Sequence, residues 1–177
     1  MKIIAILLFV LSGSWCAAQK LTAERTFVSF FSKASIEDIK GENTKAMSIF
    51  NSETMDIVFS IPIKEFEFDK ALMKEHFNEK YLESEKFPKA TFAGKVSGFS
   101  KETNGDQNVT AKGKMTIHGV SREIEVPGVI TMEGGQLTVR AVFKIKLADY
   151  EVKIPQLLWK NIAEEVEVKI DFVYKAP

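Results

Sequence analysis

The chain has 177 residues, 45% of them hydrophobic and 27% charged, with a formal net charge of +0. That length favours one domain, and the composition excludes collagen-like, low-complexity and disordered chains. A balanced charge offers no basic surface to a phosphate backbone, so nucleic acid is not an expected partner.

Residues 1–18 read as a secretory signal peptide. Lys2 precedes a nine-residue apolar run at 3–11, and small and polar residues follow, ending Cys16-Ala17-Ala18. This is the order of a charged start, an apolar centre and a cleavage site. A bilayer span would need about 20 apolar residues. Cys16 resembles a lipoprotein cysteine, but the bulky Trp15 before it argues against lipidation. Cleavage near Ala18 would export the chain to the periplasm or the extracellular space. Residues 19–177 then form one domain, with 23 basic residues against 24 acidic ones and no cysteine. Such a domain must hold together by burial and hydrogen bonding, without disulfides.

Period-two alternation organises that domain. Weak strand patterns cover 25–33 and 45–50. A clear one covers 55–63, where Met55, Ile57, Phe59, Ile61 and Ile63 share one face. Residues 69–88 break the rhythm. Asp69 is a candidate N-cap and Pro88 a stop, with Leu72, Met73, Phe77 and Tyr81 forming an apolar stripe. The spacing predicts one helix over about 70–82. Strand patterns resume at 90–99, 108–117, 123–132, 137–147 and 166–174, separated in several places by turn chemistry such as "ETNGD", "HGVS" and "EGG". One dry face per strand fits antiparallel pairing. About eight such strands would form either a sandwich or a closed barrel. Gly94, Gly98, Ala111, Gly113, Gly128 and Ala141 fall on the dry faces. They point either to an internal cavity or to relief of twist and bulges.

Chemistry is sparse. A closed zinc site takes four Cys or His ligands, and residues 19–177 offer only His76 and His118. Ser121 follows His118 without a nucleophile elbow or another activating motif. The carboxylates Glu123, Glu125, Glu165 and Glu167 fall on the wet faces. No catalytic residue, metal or cofactor is expected, and the chain is read as a non-enzyme. His118 precedes Gly119 between two strands, so its expected task is to close a turn with local hydrogen bonds. His76 is read as an ordinary, partly exposed polar residue.

The stretch "GKMTIHGVSREIEVPGVI" resembles the signature of the YceI-like family, a strand-turn-strand around a His-Gly pair. "HFNEKYLESEKFPKATFAGKV", residues 76–96, resembles the same family's preceding block, and "FKIKLADYEVKIP", residues 143–155, resembles a later strand more loosely. The resemblance implies an all-β, eight-stranded, lipocalin-like antiparallel barrel with the inserted helix, and a short helix or lid near 155–162. It also implies an apolar tunnel for a long-chain lipid such as a polyisoprenoid, in an exported bacterial protein. The expected lumen residues are Phe59, Ile61, Phe92, Val96, Met115, Ile117, Val139, Phe143, Ile145, Ile170 and Phe172. Leu72, Met73, Phe77, Leu158 and Trp159 are the expected mouth or lid. Two departures fall where a head group would be recognised. "TFVSFFSK" lacks the family's histidines, and "MKEHFN" replaces an Asp/Arg-rich segment. The alternative reading is a cell-envelope interaction protein with a filled barrel. Its apolar Trp159 loop would make a homodimer or a transient membrane-surface contact.

Overall fold

The computed structural model describes residues 20–33, 38–153 and 164–175. The expected signal peptide and the expected lid at 155–162, including Leu158 and Trp159, lie outside the described residues. The strands are β1 (Lys20–Ser32), β2 (Ile39–Asn43), β3 (Met47–Asn51), β4 (Asp56–Pro62), β5 (Lys89–Ser97), β6 (Gly105–Ile117), β7 (Val120–Glu133), β8 (Gln136–Lys146) and β9 (Glu165–Lys175). Every neighbouring pair is antiparallel, and β1 also pairs with β9, which closes the sheet into a barrel.

Nine labels make eight barrel staves. β2 and β3 pair with β1 in one unbroken register, from Ser32↔Ile39 to Lys20↔Asn51. They are one strand interrupted at residues 44–46, and side chains bond across the interruption. The Thr26 hydroxyl donates to the Ala46 carbonyl at 2.8 Å. Asn43, almost wholly buried, donates to the Pro62 carbonyl at 2.8 Å and accepts from the Lys45 N–H at 2.8 Å. Buried backbone groups need such partners wherever a ladder stops. β2 escapes sequence reading because its only apolar residue is Ile39, in "IKGEN".

Two hairpin turns follow the turn chemistry. His118 and Gly119 both have positive φ, as do Gly134 and Gly135, each pair joining strands through two residues. That is the primed turn geometry that matches strand twist.

The helix differs from expectation. α1 covers only Ala71–His76, and Phe77–Tyr81 continues as a wider π turn. Lys70, rather than Asp69, is the N-cap, and it makes no side-chain cap bond. The wide turn brings both Phe77 and Tyr81 over one end of the barrel, where both line the same cavity.

The barrel is not uniform along its axis. β6 and β7 pair over their full length, from Gly105↔Met132 to Ile117↔Val120. β7 and β8 pair only from Gly128↔Ala141 to Glu133↔Gln136. Pairing stops beside Pro127, which has no N–H to donate. Beyond that point β7 and β8 have no ladder between them. A short 3-10 turn at Leu147–Tyr150 spans the two, with Arg122 Nε donating to the Asp149 carbonyl at 2.9 Å. On the opposite side β2 has only one isolated bridge, Glu42↔Glu67, where β3 has a full ladder to β4. One end of the barrel is thus a tight ring, and the other end is splayed.

Candidate ligand cavity

The tight end is packed solid. Phe50, Ile130, Leu137, Phe172 and Tyr174 are essentially inaccessible to solvent. Phe50 packs edge-on against Phe99 and tilts against Tyr174, at ring separations of 5.6 and 6.3 Å. The Tyr174 hydroxyl is 2.5 Å from the Ser48 hydroxyl. Burial pushes its phenol pKa far above the usual value, against the smaller opposing effect of that hydrogen bond. The small dry-face residues belong mainly to this region; Ala111, Gly128 and Ala141 line a small void of about 30 Å³ there, and none of the six lines the large cavity at the other end. Gly94 and Gly113 face each other across β5 and β6, and a Cβ on Gly113 would lie 2.3 Å from the Ala93 carbonyl oxygen. These glycines permit close backbone approach. None of the glycines lines the large cavity at the other end.

The splayed end encloses about 340 Å³, within the range of small-molecule sites. Its wall comes from the mouth-proximal ends of β1, β2, β4, β5, β6, β8 and β9, and its cover from α1, the π turn and residues 63–68. Among the described residues its polar lining side chains are Ser32, His76 and Tyr81, and the rest are apolar. Burial raises the Tyr81 pKa, so this group presents a neutral hydroxyl. Three phenylalanines on the inner side of the cover, Phe66, Phe68 and Phe77, meet Phe30 of the β1 wall. Phe77 stacks on Phe30 at 5.3 Å and meets Phe66 at 5.4 Å and Phe68 at 5.0 Å. Aromatic pairs at such distances add to the stability given by burial alone.

Of the expected lumen residues, Phe59, Ile61, Met115, Ile117, Phe143, Ile145 and Ile170 line this cavity. Phe92, Val96 and Val139 line a separate void of about 30 Å³ nearer the tight end. Phe172 lines neither and packs edge-on against Phe59 at 5.5 Å. Of the mouth residues, Met73 and Phe77 line the cavity, while Leu72 is 60% exposed and points away from it. His76, read from sequence as a partly exposed polar residue, is half-buried and lines the cavity. Phe30, Phe66 and Phe68 were not expected there. Phe66 and Phe68 alternate in "EFEFD" just before the helix, a two-period pattern too short to separate from a loop.

His118 closes its turn as expected, with φ 51°. Its hydrogen bonds are not local. Nε2 is 2.7 Å from Glu83 Oε2, and Nδ1 is 3.3 Å from the Tyr150 carbonyl oxygen. The Phe87 ring packs edge-on against the imidazole at 4.5 Å and also covers Gly119. His118 therefore joins the β6–β7 hairpin to the loop after the π turn and to the 3-10 turn, three segments around the splayed end. With a side chain only 10% exposed, it is a tether built into the fold. Among the described residues no three His, Cys, Asp or Glu side chains converge as a metal site.

A closed eight-staved antiparallel barrel with an apolar cavity at one end has the lipocalin-like architecture of small binding proteins. The chain belongs to the YceI-like domain family, whose model matches residues 19–174. Solved structures agree on the fold. BcnA of Burkholderia cenocepacia is 22% identical with a TM-score of 0.70, covering 84% of this chain and 95% of that one. A polyisoprenoid binding domain from Saccharophagus degradans, implicated in plant cell wall breakdown, is 16% identical with a TM-score of 0.75, covering 89% and 98%. A Campylobacter jejuni YceI protein is 18% identical with a TM-score of 0.57, covering 78% and 86%. No curated protein matches the sequence.

Proposed function

We propose that this chain is an exported, non-enzymatic lipid-binding protein that holds a long-chain isoprenoid or other lipid in the splayed half of its barrel. The observation that carries the reading is the cavity of about 340 Å³ with its almost wholly apolar lining. Burying a tail there is worth about 25 cal/mol per Å² of apolar surface, so binding needs few polar contacts. Membership of the YceI-like family, and a fold shared with a domain described as polyisoprenoid binding, support the same class of ligand.

The lumen contacts fall to Phe59, Ile61, Met115, Ile117, Phe143, Ile145 and Ile170, with Met73 and Phe77 at the mouth. The other two expected mouth residues, Leu158 and Trp159, lie outside the described residues. Ser32, His76 and Tyr81 are the polar side chains that line the cavity, and a head group would lie among them. Export rests on residues 1–18, and a family match that begins at residue 19 supports it. A barrel filled along its whole length, the alternative reading, is disfavoured by the cavity.

Native mass spectrometry of protein purified without detergent from its own cells, followed by solvent extraction, tests the reading. The expected result is a stoichiometric prenyl or acyl lipid adduct. A bare polypeptide that also fails to take up farnesol or palmitate after delipidation would overturn it.

A further inference from the structure

We infer that Phe59, Met115, Phe143 and Ile170 form a floor across the barrel that sets the length of tail the cavity accepts. The inference rests on the lipid-binding reading above and adds a specificity determinant to it. These four side chains line both the large cavity and the small void beneath it, and among the described residues no other lines both. They come from β4, β6, β8 and β9, so the partition draws on staves around the ring.

The floor is supported from below. Phe59 stacks on Phe92 at 5.2 Å and meets Phe172 edge-on at 5.5 Å. Phe59, Phe92 and Met115 are direct cross-strand partners on three adjacent strands, so Phe92 sits between the two floor residues Phe59 and Met115 and braces both. Phe59, Met115 and Ile170 are buried, whereas Phe143 is only half-buried because it faces the open space above. Below the floor there is only about 30 Å³, against about 340 Å³ above it by the same measure, and its wall is apolar. A tail that reaches the floor has nowhere further to go. Any additional length must stay in the mouth or leave it.

The ligand class that follows is a lipid whose apolar tail ends at this level, with its polar end among Ser32, His76 and Tyr81. Each methylene buried above the floor should tighten binding about fourfold. Methylenes beyond it should add nothing.

The test uses the full mature protein, delipidated, with the unbranched primary alcohols from hexanol to octadecanol displacing a fluorescent apolar dye. For the wild type, affinity should climb with chain length and then reach a plateau. Phe143→Ala and Met115→Ala should move the break to longer alcohols by joining the two spaces. Ile145→Phe adds volume above the floor, should move the break to shorter ones, and keeps the test decisive if the truncations do not fold. A climb that continues unbroken to octadecanol overturns the floor while leaving lipid binding intact. So does a break that none of the three variants moves. Failure of every alcohol to displace the dye from the wild type would instead remove the lipid-binding reading on which the floor rests.

Discussion

The two ends of this barrel are made from the same staves and behave as different materials. At the tight end every neighbouring pair of staves is laddered, paired glycines let β5 and β6 approach closely, and Phe50, Ile130, Leu137, Phe172 and Tyr174 fill the centre. At the other end the β7–β8 ladder stops beside Pro127, the β2–β3 stave breaks at residues 44–46, and a short helix and a π turn stand in for side chains as the cap. Stability resides in the first region and the candidate binding space in the second. Large side chains both fill the tight end and line the cavity, whereas the facing glycines Gly94 and Gly113 lie outside the cavity lining.

Substitutions can break this contrast at either end. The largest expected effect is at the tight end. Phe172→Ala should cost about 3–5 kcal/mol, because the site is enclosed on all sides and cannot collapse. Phe77→Ala, half-buried at the splayed end, should cost less than half of that while weakening uptake of a lipid probe. Chemical denaturation of both variants checks the ranking, and equal losses would mean that the two ends are equally packed. Gly113→Ala should cost about 1–3 kcal/mol through overpacking against the Ala93 carbonyl and Gly94. A smaller loss would show that β5 and β6 can separate without consequence.

His118 holds the splayed end together, since it ties the loop after the π turn and the 3-10 turn to the β6–β7 hairpin. His118→Asn tolerates the left-handed backbone and removes the reach to Glu83 and Tyr150. It should lower stability by about 1–2 kcal/mol, and Tm by roughly 2–8 °C for a chain of this size. Hydrogen exchange should quicken in residues 83–87 and 147–152, with little change in β8 and β9 near Phe172. Uniform quickening would contradict the tether. The smallest effect belongs to Leu72→Gln, which replaces an exposed side chain that does not line the cavity. Its stability should stay within about 0.5 kcal/mol of wild type, and lipid uptake should be unchanged.

Much of the barrel wall was legible in the sequence, because long alternating runs such as 55–63 and 166–174 state which face is buried. The family blocks around His118 and Phe87-Pro88 carried the topology. The splayed end was harder to read for physical reasons. β2 has too few apolar residues to show a period. The helix switches to a π turn at Phe77, which no three-to-four spacing reveals. Phe30 and the Phe66–Phe68 pair come together only because the stave breaks at residues 44–46 and the chain folds back over the opening. His118 shows a turn in its local sequence, but its partners are 35 and 32 residues away. The seven expected lumen residues that line the large cavity and the four that do not carry the same alternation. What separates them is their height in the barrel, which depends on the register of several strands at once.

The most direct measurement uses the isoleucine methyl groups, which report on both halves. Methyl NMR spectra of the delipidated protein would be recorded while farnesol is added. Ile61, Ile117 and Ile145 line the cavity, whereas Ile57 and Ile130 are buried beyond the floor. The account predicts that the first three methyl signals shift together and saturate while the last two stay in place. Shifts of equal size in both groups, or shifts confined to an exposed residue such as Ile49, would contradict it.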